Sequence, residues 1–91
     1  MQGLYPQADG SVLVEGAMPV SDLNHAMAWN LPDEQATTIA GLLIHDAATI
    51  PDTGQMFTFH GFRFSIICKI RNRIAVVRVT PENREEQHAR L

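Results

Sequence analysis

The sequence predicts a two-layer α+β sandwich of order β-α-α-β-β-β, with a mainly antiparallel sheet covered on one face by two helices. Three observations carry that expectation. Apolar residues recur at helical spacing between residues 20 and 48, they alternate with polar ones between residues 55 and 79, and a short alternating segment at residues 11 to 15 precedes both. Strands that follow one another through tight turns pair antiparallel, and a sheet that is apolar on one side needs a single layer of helices to cover it. A chain of 91 residues has room for one such core and no second, and its 45% apolar and 19% charged residues place it among globular sequences.

The first strand is expected at Ser11 to Glu15, with Val12 and Val14 on one side and Asp9-Gly10 supplying turn chemistry ahead of it. Gly16 closes it. Pro19-Val20-Ser21-Asp22 reads as a helix entrance, where the Ser21 hydroxyl can accept a backbone N–H and Asp22 suits the positive end of the helix dipole. Val20, Leu23, Ala26 and Met27 then share a face, so a short helix is expected to about Ala28, ended by Leu31-Pro32. Thr37 or Thr38 can cap a second helix reaching about Ala48. Ile39, Leu42, Leu43, Ile44, Ala47 and Ala48 leave that helix nearly apolar all round, which suits a central place in the core. Gly41 inside it costs about 1 kcal/mol relative to Ala, so a close backbone approach is expected there.

Ile50-Pro51-Asp52-Thr53-Gly54 is a turn cluster, after which Gln55 to His60 places Phe57 and Phe59 on one face and Gly61 turns the chain. From Phe62 to Arg71 the expected inward residues are Phe62, Phe64, Ile66, Cys68 and Ile70; Arg63, Ser65, Lys69 and Arg71 point outward, and Ile67 breaks the pattern. Asn72 is expected to make the tight reversal, and Ile74 to Val79 the return strand, stopped by Pro81. The domain is therefore expected over residues 8–81, followed by a polar tail over residues 82–91.

A net charge of −3 conceals a division: residues 1–62 carry seven acids and no Lys or Arg, whereas residues 63–91 carry all seven bases against three acids. Arg63, Lys69 and Arg71 share one side of a strand, where like charges repel unless something negative lies near. Either the protein's own acids compensate them or they meet a partner. The candidate interaction face is Arg63, Ile67, Lys69 and Arg71, extended by Arg73 and Arg78, with Ile67 as its apolar anchor. A pI of about 5.7 and the lack of aromatics between these bases argue against nucleic acid.

Chemistry-bearing motifs are scarce. No nucleophile, base and orienting group form a local set, so no catalytic residue is expected and the chain does not read as an enzyme. The single cysteine, Cys68, permits no internal disulfide and reads as a small buried hydrophobe. His45-Asp46 point about 100° apart on a helix and so do not share one ion, while His25, His60 and His88 lack ligand spacing; no metal site is expected. Gly10 and Gly16 flank a strand without forming a phosphate cradle, so no cofactor is expected either. No apolar run approaches the ~20 residues of a membrane-spanning helix, which makes this part of the chain soluble by expectation. Sheet edges leave self-association open.

The ordered set of short motifs resembles the CorC/HlyC transporter-associated domain. Asp9-Gly10-Ser11-Val12-Leu13-Val14-Glu15-Gly16 matches its opening. Pro19-Val20-Ser21-Asp22-Leu23-Asn24, Leu31-Pro32, Thr38-Ile39-Ala40-Gly41-Leu42-Leu43, Ile50-Pro51-Asp52-Thr53-Gly54-Gln55 and Arg73-Ile74 through Val79 follow in order, with Ala40 where a further glycine is common. The resemblance covers about residues 8 to 80. It implies a flavin adenine dinucleotide-binding-like fold and a place at the C-terminus of a larger bacterial protein. Such proteins carry a membrane domain and a cystathionine-β-synthase (CBS) pair, and are linked to magnesium and cobalt efflux or called haemolysin-like. The implied role is a regulatory one in ion transport, exercised on the CBS-pair and membrane domains at the cytoplasmic side of the bacterial inner membrane. The alternative is a small-ligand sensor for a nucleotide, a flavin or a divalent cation.

Overall fold

The strongest turn signal near the start of the chain is Asp9-Gly10, and the computed structural model, which describes residues 3–82, shows what it connects. Gly10 takes a φ of +93°, the Gln7 N–H donates to the Ser11 carbonyl, and the Ser11 hydroxyl and N–H both donate to the Asp9 carboxylate at 2.6 and 3.0 Å. The turn joins β1 (Leu4–Pro6) to β2 (Val12–Glu15) in antiparallel register, Leu4 facing Val14. β1 is absent from the expected order, and the sheet starts four residues before residue 8. Three residues ending in proline offer no alternation to read. Proline is tolerated there because β1 is an edge strand, with no further neighbour to receive an N–H.

Two helices follow. α1 (Val20–Met27) has Pro19 at its N-cap and no side-chain cap, so Ser21 lies inside the helix and not at its mouth as expected. The reason is a competing acceptor: the Val20 N–H donates to the Thr37 carbonyl of the α1–α2 connection. α2 (Ile39–Ala47) is capped by Thr38, whose hydroxyl accepts from the Gly41 N–H at 3.1 Å, and its Ile39 N–H donates to Met18. The two helix N-termini are thereby stitched together. Asn24 holds the connection between the helices by a double clamp, donating to the Leu31 carbonyl at 2.8 Å and accepting from its N–H at 2.9 Å.

The remaining strands are β3 (Met56–Phe59), β4 (Phe62–Ile70) and β5 (Arg73–Pro81), and the sheet order is β1-β2-β5-β4-β3, antiparallel throughout. Cross-strand rows build one buried face: Val12, Val79, Phe64 and Phe57 in one, Val14, Val77 and Ile66 in the next. Val20, Leu23, Ile39, Leu42 and Leu43 of the helices close over them. Each such side chain contributes roughly 1.5–3 kcal/mol on burial, so this layer contact is what the fold rests on. α2 buries only Ile39, Leu42 and Leu43, and is less central than its composition suggests.

Three further expectations are corrected. At Gly41 a Cβ would meet only the Thr38 hydroxyl and the Ala36 methyl; the close backbone approach is at Gly16, where a Cβ would lie 2.1 Å from the Ile74 carbonyl oxygen. The β4–β5 register slips at Ile67 and recovers at Ala75, so that Ile66 faces Val77, Cys68 faces Val76 and Lys69 faces the buried Ile74. The bulge turns Ile70 out to 62% exposure and leaves Cys68 half-buried, where strict alternation puts both inward. Finally, the β4–β5 reversal is carried by Arg71 at φ 58°, not by Asn72.

Candidate functional site

The four residues expected to form one interaction face are divided by the bulge. Arg63, near the start of β4, is held by Glu82 at the end of β5, with Nε and the guanidinium amino group 2.8 and 2.6 Å from one carboxylate oxygen. Lys69 sits across from Ile74, and its Nζ donates to Asp52 at 3.1 Å; the Lys69 side chain is only 15% exposed. The acidic first part of the chain therefore neutralises Lys69, and Glu82 neutralises Arg63. Ile67 stands out at the bulge, 40% exposed, and Arg71 is at the hairpin turn. Among the described residues neither Arg71 nor Arg73 has a carboxylate within ion-pair distance.

Ile70 and Arg73 pair directly and project from the same face of the β4–β5 hairpin. Beside them lies an open groove of about 660 Å³ whose walls include Ile70, Arg71, Arg73 and Val76. A smaller groove of about 250 Å³ lies against Asn72, Arg73 and Ile44, and a third, of about 480 Å³, is lined by Glu15 and Asp22. The Glu15 carboxylate leans towards Gly3 of the β1 side.

Among the described residues no helix lies over the second face of the sheet. One row crosses all five strands there, from Tyr5 through Leu13, Arg78 and Ser65 to Met56. Its ends are exposed, Tyr5 at 52% and Met56 at 61%. At its centre the Nε of Arg78 is buried and has no hydrogen-bond partner among the described residues. An N–H withdrawn from water without an acceptor costs about 1–3 kcal/mol, so this row is incomplete as it stands.

Sequence spacing missed one polar cluster. His60, in the turn after β3, places Nε2 2.7 Å from Asp46 Oδ2, and His45 Nδ1 lies 3.3 Å from the other oxygen. Asp46 thereby ties α2 to the β3–β4 turn. Fourteen residues separate Asp46 from His60, and nothing local in either segment announces the contact. The two imidazoles approach opposite oxygens, and among the described residues no group of three or more His, Cys, Asp or Glu side chains is placed to hold a metal ion. Among the same residues, no helix is long and apolar enough to cross a membrane.

Comparison with known proteins agrees with this architecture. Residues 6–83 match the CorC_HlyC family profile, described as a transporter associated domain. The UPF0053 inner membrane protein YfjD of Escherichia coli is 33% identical over 76 residues, which is 84% of this chain and 18% of that protein. This chain thus spans less than a fifth of that relative's length. The crystal structure of a functionally unknown conserved protein from Haemophilus influenzae superposes with a TM-score of 0.80 at 31% identity, covering 86% of this chain and 96% of the other. A transporter associated domain from a Xylella fastidiosa haemolysin, solved in complex with magnesium and manganese ions, gives a TM-score of 0.75 at 26% identity, covering 89% and 99%.

Proposed function

This chain belongs to the CorC_HlyC transporter associated domain family, and from that premise we propose that it is a non-enzymatic accessory domain of a membrane ion transporter of the magnesium and cobalt efflux or haemolysin-like kind. It acts by packing on the CBS-pair and membrane domains of the same protein, at the cytoplasmic side of the inner membrane, and shifts their conformational balance. One observation supports this reading above the others: the sheet face that no described helix covers, with Tyr5 and Met56 exposed at the ends of a row whose centre, Arg78 Nε, has no partner among the described residues. An apolar surface carrying one carboxylate or carbonyl acceptor completes that row.

The test is association with the neighbouring soluble domain, expressed separately from the full-length protein and measured without lipid. Met56→Asp and Tyr5→Asp place unpaired charge in the contact and should abolish association while circular dichroism stays native. Undiminished association in both variants would sink the reading.

A second reading, the small-ligand sensor, has a specific observation behind it: the Xylella fastidiosa relative was solved with magnesium and manganese. A ligand that binds only the folded form adds about 2.7 kcal/mol at a hundredfold excess over its Kd. A thermal-shift screen against Mg²⁺, Mn²⁺, Co²⁺, adenine nucleotides and flavins at matched ionic strength separates the two readings. A concentration-dependent rise for one class favours the sensor, and a flat panel favours docking.

A further inference from the structure

We propose that the tip of the β4–β5 hairpin, Ile70, Arg71 and Arg73, docks on the anionic headgroup layer of a phospholipid bilayer. Three observations converge on this tip. Ile70 is the most exposed large apolar residue among those described, at 62%. Arg71 and Arg73 flank it and, unlike Arg63 and Lys69, meet no carboxylate among the described residues. Arg71 holds a left-handed φ of 58°, a conformation that glycine or asparagine adopts at little cost and a longer side chain does not. Ala28, Ala48 and His60 share that φ, so the conformation serves here to set Arg71 at the exposed apex beside Ile70.

The chemistry of the tip selects the partner. An acidic, hydrated protein surface satisfies the two guanidiniums and leaves Ile70 in water. An apolar protein surface covers Ile70 and desolvates the arginines at a cost. The bilayer interface offers phosphate oxygens at one level and acyl carbon a few ångströms below, so both are met at once. The groove of about 660 Å³ behind the tip, walled by Val76 and Ile70, gives a headgroup or the upper acyl carbons a place to sit. Two basic residues contribute about 1 kcal/mol each near an anionic surface, or about fivefold in affinity apiece. That is weak for a free domain and sufficient for one tethered beside a membrane. The inference rests on reading this domain as part of a membrane protein.

The test is an NMR titration of the chain with phosphatidylglycerol nanodiscs and, separately, phosphatidylcholine nanodiscs. Broadening confined to Ile70 through Arg73 and the groove residues is expected with the first, weakened by salt, and absent with the second. Arg71→Gly should lower the apparent affinity about fivefold without loss of thermal stability, and Arg73→Gln should do the same, as one basic residue is removed in each. Ile70→Ser should weaken binding at all salt concentrations. Equal broadening on both lipids, no broadening, or broadening indifferent to the arginines overturns the proposal. So does loss of lipid-free association with the neighbouring soluble domain in Arg71→Gly, which gives the tip to a protein partner. Failure here leaves the Met56→Asp and Tyr5→Asp result standing, so the two readings fail separately.

Discussion

The two turns that bound β4 are built on opposite principles. At its start, His60 and Gly61 both take positive φ, 58° and 83°, in a two-residue turn whose glycine suits the geometry, and His60 is tied down to Asp46 of α2. The surroundings are crowded: the Trp29 ring lies 4.7 Å from Phe62, and Glu82 grips Arg63. At its end, Arg71 carries the positive φ alone, Ile70 stands out in solvent, and neither Arg71 nor Arg73 meets a carboxylate among the described residues. One turn spends its polar groups on holding the helix layer to the sheet. The other keeps them available. Where a side chain's chemistry is consumed within the fold, it is structure; where a charge has no partner among the described residues, recognition is the better account.

The sharpest way to break this contrast is at its boundary, Gly16. The β4–β5 tip is free only if its base is fixed, and the base is fixed by Gly16, whose N–H donates to Ala75 and whose α-carbon lies against the Ile74 carbonyl. Gly16→Ala forces a contact that backbone cannot relieve by rotamer change, and should cost about 3 kcal/mol or more in urea unfolding. A loss under about 1 kcal/mol would mean that the base yields, and that the tip's exposure is not a fixed property of the fold.

A smaller effect is expected at the α1–α2 connection, which supports the anchored side. Asn24→Ala removes both partners of the Leu31 backbone and should cost about 1–3 kcal/mol. Smaller still is Asp46→Asn, which weakens a partly exposed contact with His60 and should cost at most about 1 kcal/mol. An effect of zero at both sites would erase the distinction between the two turns.

Most of this contrast was not legible in the sequence, and the reasons are physical. The layer architecture was legible, because Val12 and Val14, the Phe57–Phe59 pair, and Phe64 with Ile66 each follow the period of their own element. The Thr38 cap was also legible, since the acceptor and its Gly41 donor lie three residues apart. β1 was not, being three residues long with Pro6 at its end. Nor was the bulge at Ile67: an unmatched apolar residue within an alternating run marks a place where register can slip, but the slip also needs Ala75 on the other strand. That pairing decided that Lys69 turns to Asp52 while Ile70 turns to solvent. Contacts between distant residues, such as Asp46 with His60, leave no local trace at all.

The smallest effect concerns the β1–β2 turn. Hydrogen bonds from the Ser11 hydroxyl and N–H stabilise the charged Asp9 carboxylate and hold its pKa below the usual value. A carboxylate depressed in the folded state means that the unfolded chain binds more protons as pH falls, so this contribution is present above the ordinary carboxylate pKa and lost on acidification through the lower folded value. Ser11→Ala should flatten that slight acid limb of the stability profile; an unchanged profile would remove Asp9 from the account.

The central claim, that the β4–β5 tip is held for a partner at the fold's expense, meets its most direct test in the urea midpoint of Arg71→Gly. Glycine takes the left-handed φ without the ~1–2 kcal/mol steric cost of a larger residue, and returns part of that gain through the freer unfolded chain. The account expects the midpoint to stay level or rise, by up to about 1 kcal/mol in stability. A clear fall would show that the arginine side chain is part of what holds the domain together, and the claim would be wrong.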